Sequence, residues 1–145
     1  MSAPNPVPLS ILDLSPVSEG STVAQALRNS IDLARHAEAW GYRRYWVAEH
    51  HFVAVASSSP VVLIGAIAAA TETIRVGAAA VQLGHNTAVG IVEAFGTLDA
   101  LYPGRTRHPA AVLAFGTAVL VAAGRELRGI AATGSAGSGI RQPGR

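Results

Sequence analysis

The stretch Tyr45-Trp46-Val47-Ala48-Glu49-His50-His51-Phe52 carries most of the information in this 145-residue chain. An apolar, aromatic run ends abruptly in one carboxylate and two imidazoles. A strand buried along its length and polar at its carboxyl end is how α/β proteins present chemistry, because ligands sit at the carboxyl ends of parallel strands in open sheets and closed barrels. Everything around the stretch repeats the same alternation of strand and helix.

Upstream, Leu9-Ser10-Ile11-Leu12-Asp13-Leu14 is short, apolar and closed by Ser15-Pro16, which predicts a buried first strand. Thr22 followed by Gln25 is a capping-box pattern that opens a helix. Val23, Leu27, Ile31, Ala34 and Ala37 recur at helical spacing as its core face, and Gly41 is placed to end it in a left-handed conformation. Residues 45–52 are read as the second strand. Ser59-Pro60 then supplies an N-cap and a first-turn proline for a nearly all-apolar helix over 61–71 that must be covered on most sides.

Residues 73–81 read as one third strand whose side chains shrink toward Gly77-Ala78-Ala79-Ala80. Small residues there let a ligand or another backbone approach closely, or simply allow tight helix packing. A loop over 83–86 leads to a third helix, 87–101, with Val89, Val92 or Ile91, Phe95 and Leu98 on its core face, closed by Tyr102-Pro103-Gly104. Three strands alternating with three helices imply right-handed βαβ units and a parallel sheet.

After Arg105 a fourth strand is due, but the chain continues Thr106-Arg107-His108-Pro109 and then an apolar run over 110–123. That run is shorter than the roughly 20 residues that span a bilayer and suggests a short helix; residues 134–145 read as disordered. Charge shifts at the same point. Six Arg face eight acids up to Arg105, whereas five Arg face only Glu126 beyond it. These arginines are scattered among Gly, Ala and Pro with almost no aromatics, so no nucleic-acid partner is expected. No cysteine is present, which excludes disulfides and thiolate chemistry and is compatible with a cytoplasmic protein. The proline-rich start lacks the basic and apolar regions of a secretory signal, and no membrane association is expected.

Taken together, "ILDLSPVSEG", "ARHAEAWGY", "RYWVAEHHF", "ATETIRVGAAAVQL" and "VEAFGTLDALYPGR" resemble, in order over residues 9–105, the N-terminal part of the luciferase-like flavin-dependent monooxygenases. The resemblance implies a (β/α)8 barrel that holds reduced FMN, or a deazaflavin in some branches, at its carboxyl-end mouth. It implies reduced flavin supplied by a separate flavin reductase, and O2 used to oxidise an aldehyde or another small organic substrate. It places the acid/base residue at His50 and the flavin-facing strand end at Ala79 and Ala80, where relatives carry a non-proline cis peptide. Glu49, His50 and His51 are not expected to hold a metal, since successive strand side chains face opposite ways and His36 and His85 read as isolated.

The family's next strand, of the type Ile-Asp-Leu-Gly-Leu-Gly-Arg, brings an arginine for the flavin phosphate; that pattern is absent here, and its role does not transfer to Arg107. The expected organisation is therefore a flexible leader (1–8), a partial barrel of about three βα units (9–105) and a divergent, partly disordered tail (106–145), as a truncated or frameshifted coding sequence would produce. A complete barrel needs around 250 residues. The activity is expected to be impaired by that truncation. The alternatives are an inactive remnant or an interaction module, with the third strand and one side of the first left as open edges through which a homo-oligomer could form.

Overall fold

The computed structural model describes residues 7–107, 111–114 and 117–119. In chain order the elements are β1 (Ser10–Asp13), α1 (Val23–Ala39), β2 (Arg44–Val47), α2 (Pro60–Ala70), β3 (Arg75–Ala78), β4 (Ala80–Gln82), α3 (Ala88–Leu101), β5 (Thr106–Arg107), β6 (Ala111–Ala114) and β7 (Thr117–Val119). Strands β1, β2, β3 and β5 form one parallel sheet in that order. A second sheet, β4-β6-β7, joins β4 and β6 in parallel and closes with an antiparallel pair. This is the parallel α/β architecture of a partial (β/α)8 barrel.

The core lies between the first sheet and the helices. Tyr45, Val47, Val76 and Ala78 from β2 and β3 pack there with Ala34 and Ala37 of α1, Leu63, Ile64 and Ile67 of α2, and Ile91, Phe95 and Leu98 of α3. The alternate strand positions form the other face, where Leu12, Trp46 and Gly77 stand in register. Leu12 is 58% exposed there, as expected of a barrel lining that opposing strands would otherwise fill.

Several helical expectations needed adjustment. Thr22 caps α1 by accepting from Gln25 N at 3.1 Å, but the Gln25 amide donates to Asn29 instead of returning to the cap. Of the predicted face of α1, Ala34 and Ala37 are buried and Leu27 and Ile31 pack against the core, joined by buried Ala26 and Ser30, while Val23 is exposed. The buried positions are small, which lets the helix sit close to the sheet. Gly41 follows α1 with φ +81°, as predicted. Pro60 occupies the first turn of α2, yet Ser59 makes no side-chain cap. As expected, α2 is covered on most sides, with Val62, Ala66 and Ala69 left as one exposed stripe. In α3 the core position is Ile91, while Val89 and Val92 face outward.

Two larger corrections concern the strands. The third strand is not continuous: β3 and β4 belong to different sheets and are separated at Ala79. A fourth strand does follow α3, because Thr106 and Arg107 pair with Val76 and Gly77. Ala111–Ala114 then continues beside β4, with the partner offset one residue larger. The apolar run read as a helix thus contains the strands β6 and β7. The open backbone of the third strand supplies unpaired N–H and C=O groups that an extended partner satisfies. The third strand is consequently no open edge; the outer side of β1 has no strand partner among the described residues. Most of the leader and residues 134–145 lie outside the described residues. No described helix is long and apolar enough to cross a membrane.

Candidate functional site

At the carboxyl ends of the strands the chain builds two buried polar clusters. The first begins at Asp13, the last residue of β1. Its carboxylate accepts from Ser15 N at 2.8 Å and from the Tyr45 hydroxyl at 2.7 Å. Ser15, at φ +53°, is buried against the Ser30 hydroxyl at 2.7 Å, and Tyr45 also reaches the Ser30 carbonyl at 3.1 Å. Burial, reinforced by the hydrogen bond and charge of Asp13, pushes the Tyr45 phenol well above its ordinary range. Tyr45 therefore stays neutral and donates, and the cluster holds β1, α1 and β2 together.

The second cluster begins where β2 ends. The strand stops at Val47, so Glu49, His50 and His51 belong to the following loop. The alternation expected of a strand does not apply, and Glu49 and His51 meet: His51 Nε2 lies 2.8 Å from Glu49 Oε1. The Glu49 side chain is only 1% exposed and that of His51 20%. Glu49 also accepts from Gln82 N at 3.0 Å and Asn86 Nδ2 at 3.1 Å, and its carbonyl accepts from Gln82 Nε2 at 3.0 Å. His85 is not isolated, because its ring lies 4.0 Å from that of His51. Even so, no group of three or more potential metal ligands among the described residues is arranged to hold an ion.

His50 contrasts with its neighbour. Its backbone N donates to the Ser57 carbonyl at 3.1 Å, while Ser57 Oγ donates to the Ala48 carbonyl at 2.6 Å. These bonds fix the main chain at His50, yet the imidazole is exposed and has no partner among the described residues. The loops that follow β1 and β2 also bind each other, through Val17 N to Ala54 O at 3.0 Å and Ala56 N to Ser15 O at 2.8 Å. Beside them Phe52 stands 98% exposed at φ +59°, a conformation that aromatic residues seldom adopt.

Ala79 and Ala80 lie across from this loop, both half-buried, with Ala79 N donating to Val47 O at 2.8 Å. The peptide bonds of the described residues are all trans, that between Ala79 and Ala80 included. Two methyl side chains at a strand end leave a low shelf there. Glu49, Gln82, His85 and Asn86 were not foreseen as a unit. The signal available was positional, since polar residues at the carboxyl ends of adjacent parallel strands must converge.

At the opposite end of the sheet two charged side chains brace the backbone. Arg105 donates to the carbonyls of Ala68, Thr71 and Ile74 and to the Thr71 hydroxyl, tying down the C-terminal end of α2. The Glu38 carboxylate accepts from the backbone N of Glu72, Thr73 and Ile74 and from the Thr73 hydroxyl.

A parallel sheet backed by helices, with a polar loop and a small-residue shelf at its carboxyl end, defines a barrel-type α/β framework. The sequence model of the family described as "Luciferase-like monooxygenase" matches residues 7–134, and the chain belongs to that family. It is 57% identical over 98 residues to the uncharacterized protein YvbT of Bacillus subtilis (strain 168), covering 67% of this chain and 29% of that protein. It is 49% identical over 100 residues to a luciferase-like monooxygenase of Escherichia coli (strain K12), covering 68% and 30%. Among solved structures, apo-MsnO8 superposes with a TM-score of 0.66 at 48% identity, over 69% of this chain and 31% of that one. The FMN-bound oxygenating constituent of 3,6-diketocamphane monooxygenase from Pseudomonas putida shares the fold, with a TM-score of 0.62 at 23% identity over 68% and 28% of the two chains. The chain spans about 30% of the length of the curated relatives it matches.

Proposed function

We propose that this chain carries the catalytic edge of a flavin-dependent monooxygenase, with His50 as the acid/base group. The observation that carries the reading is the pairing of a fixed backbone with a free imidazole at the strand mouth: His50 N is bound to Ser57 O, and its ring is exposed. An imidazole so placed has a ring nitrogen within reach of a bound molecule and can pass a proton to or from it. Ala79 and Ala80 would support the flavin ring, which when bound supplies electrons to dioxygen. FMN is the favoured flavin, because the FMN-bound Pseudomonas putida oxygenase shares this fold. A deazaflavin is the alternative, since an F420-dependent secondary alcohol dehydrogenase does so too, with a TM-score of 0.53 at 24% identity.

The substrate in this reading is an aldehyde or another small organic molecule, with a separate reductase supplying reduced flavin in the cytoplasm. A dry pocket needs the opposing barrel wall, so the unaided chain is expected to bind flavin more readily than it turns over. An inactive remnant and an oligomerising module are the alternatives, the latter through the outer side of β1, which lacks a strand partner among the described residues.

Titration with FMN, followed by fluorescence, and NADH-coupled oxygenation with a reductase test the reading. Saturable flavin binding is expected. Any turnover should fall by about 10²–10⁴-fold in His50→Ala, with flavin affinity and thermal midpoint retained. Absence of binding at high micromolar FMN, with the same result for a deazaflavin, defeats the proposal.

A further inference from the structure

A cavity of about 370 Å³ lies at the amino ends of the strands and is lined by Pro8, Arg43, Arg44, Thr73 and Arg75. Arg44 and Arg75 open β2 and β3 and stand in register with each other, and Ser10 of β1 completes the row. Their position follows from the pairing. Arg43 N donates to Leu9 O at 2.9 Å and Arg75 N to Arg43 O at 3.3 Å, so adjacent strand entrances bring three guanidinium-bearing residues to one place.

None of the three guanidinium groups makes a hydrogen bond or ion pair among the described residues. No carboxylate lines the cavity. The carboxylate bonded to Thr73 is that of Glu38, which is already engaged by three backbone N–H groups and a hydroxyl. Three like charges gathered without an acid repel one another, and a polyvalent anion relieves that repulsion. Guanidinium groups bind phosphoryl oxygens in forked pairs, and the volume lies at the lower end of small-ligand sites, about 300–1,000 Å³.

We infer that this cavity binds a small phosphorylated anion of the diphosphate class. The site is distinct from the proposed flavin site. β2 runs from Arg44 to Val47, about 10 Å of extended chain, and His50 lies beyond its far end. Because FMN also carries a phosphate, the two readings are kept apart by pyrophosphate, a probe with no flavin ring.

Calorimetric titration with inorganic pyrophosphate, orthophosphate and ADP tests the inference and separates a free diphosphate from a nucleoside diphosphate. One pyrophosphate or ADP per chain should bind, more tightly than orthophosphate. Arg44→Lys keeps the charge, and with it the electrostatics of folding, yet loses the forked geometry; it should weaken binding about five- to tenfold. The triple variant Arg43→Gln, Arg44→Gln, Arg75→Gln should abolish it, with folding checked by circular dichroism. Arg28→Gln, on the exposed surface of α1, should change nothing. Binding that is unsaturable, equal for Arg44→Lys and the native chain, or weakened as much by Arg28→Gln, overturns the site.

Discussion

The α2–β3 connection and the loop after β2 use polar residues in opposite ways. At the amino ends, Arg105 and Glu38 spend nearly every donor or acceptor on the backbone of the α2–β3 connection. At the carboxyl ends, polar groups also fix the main chain, but one imidazole, His50, is left over. The difference is between a carbonyl or N–H that needs a partner and a side chain held in place by bonds it does not itself make. The second pattern lies at the strand face where barrels carry their chemistry.

Neighbouring His50 and His51 show the same contrast at close range. His51 is held by buried Glu49 and lies against the His85 ring. That side chain organises the loop, whereas His50 is presented by it.

The largest expected effect comes from removing Glu49. Glu49→Ala deprives Gln82 N, Asn86 and His51 of one buried acceptor and should cost about 2–4 kcal/mol, measured by urea unfolding. A loss below about 1 kcal/mol would mean that the mouth is not organised as described. At the other end, Arg105→Gln strips the cap from α2 and should cost about 1–2 kcal/mol without altering flavin binding. A loss of flavin affinity in that variant would break the division between the ends.

The smallest effect is a pH dependence at Glu38. Burial alone would raise its carboxyl, but the hydrogen bonds from Thr73, Ile74 and Glu72 outweigh burial and hold it below its ordinary value of 4.5. The folded form thus favours the ionised group. Its contribution, about 1 kcal/mol, is complete above the ordinary carboxylate range and is lost as pH falls through that range and below. Glu38→Gln should flatten this component of the stability profile between neutral and acid pH. An unchanged profile would show that the hydrogen bonds do not favour the charged form.

Much of the fold was legible because local rules and tertiary packing agree. Thr22, Pro60, Gly41 and Gly104 punctuate the helices where their backbone chemistry requires. That His50, Ala79 and Ala80 lie at the carboxyl end of the sheet was legible from the strand pattern. Less was legible at Glu49, because β2 ends two residues before it. The same residues that alternate on a strand converge in a loop, and no pattern in the string distinguishes the two.

The sequence by itself determined the alternation of strand and helix through α3, the family, and which residues could carry a charge or a proton. Those properties follow from periodicity, capping and side-chain chemistry, which act over a few residues. Tertiary structure alone decided that Tyr45 would share a hydrogen with Asp13, that Gln82 and Asn86 would converge on Glu49, and that Ala111–Ala114 would extend beside β4. It also decided that Arg43, Arg44 and Arg75 would share one cavity. Each of these joins residues about 30 positions apart, where parallel register, set by the satisfaction of backbone hydrogen bonds across the sheet, determines which side chains meet.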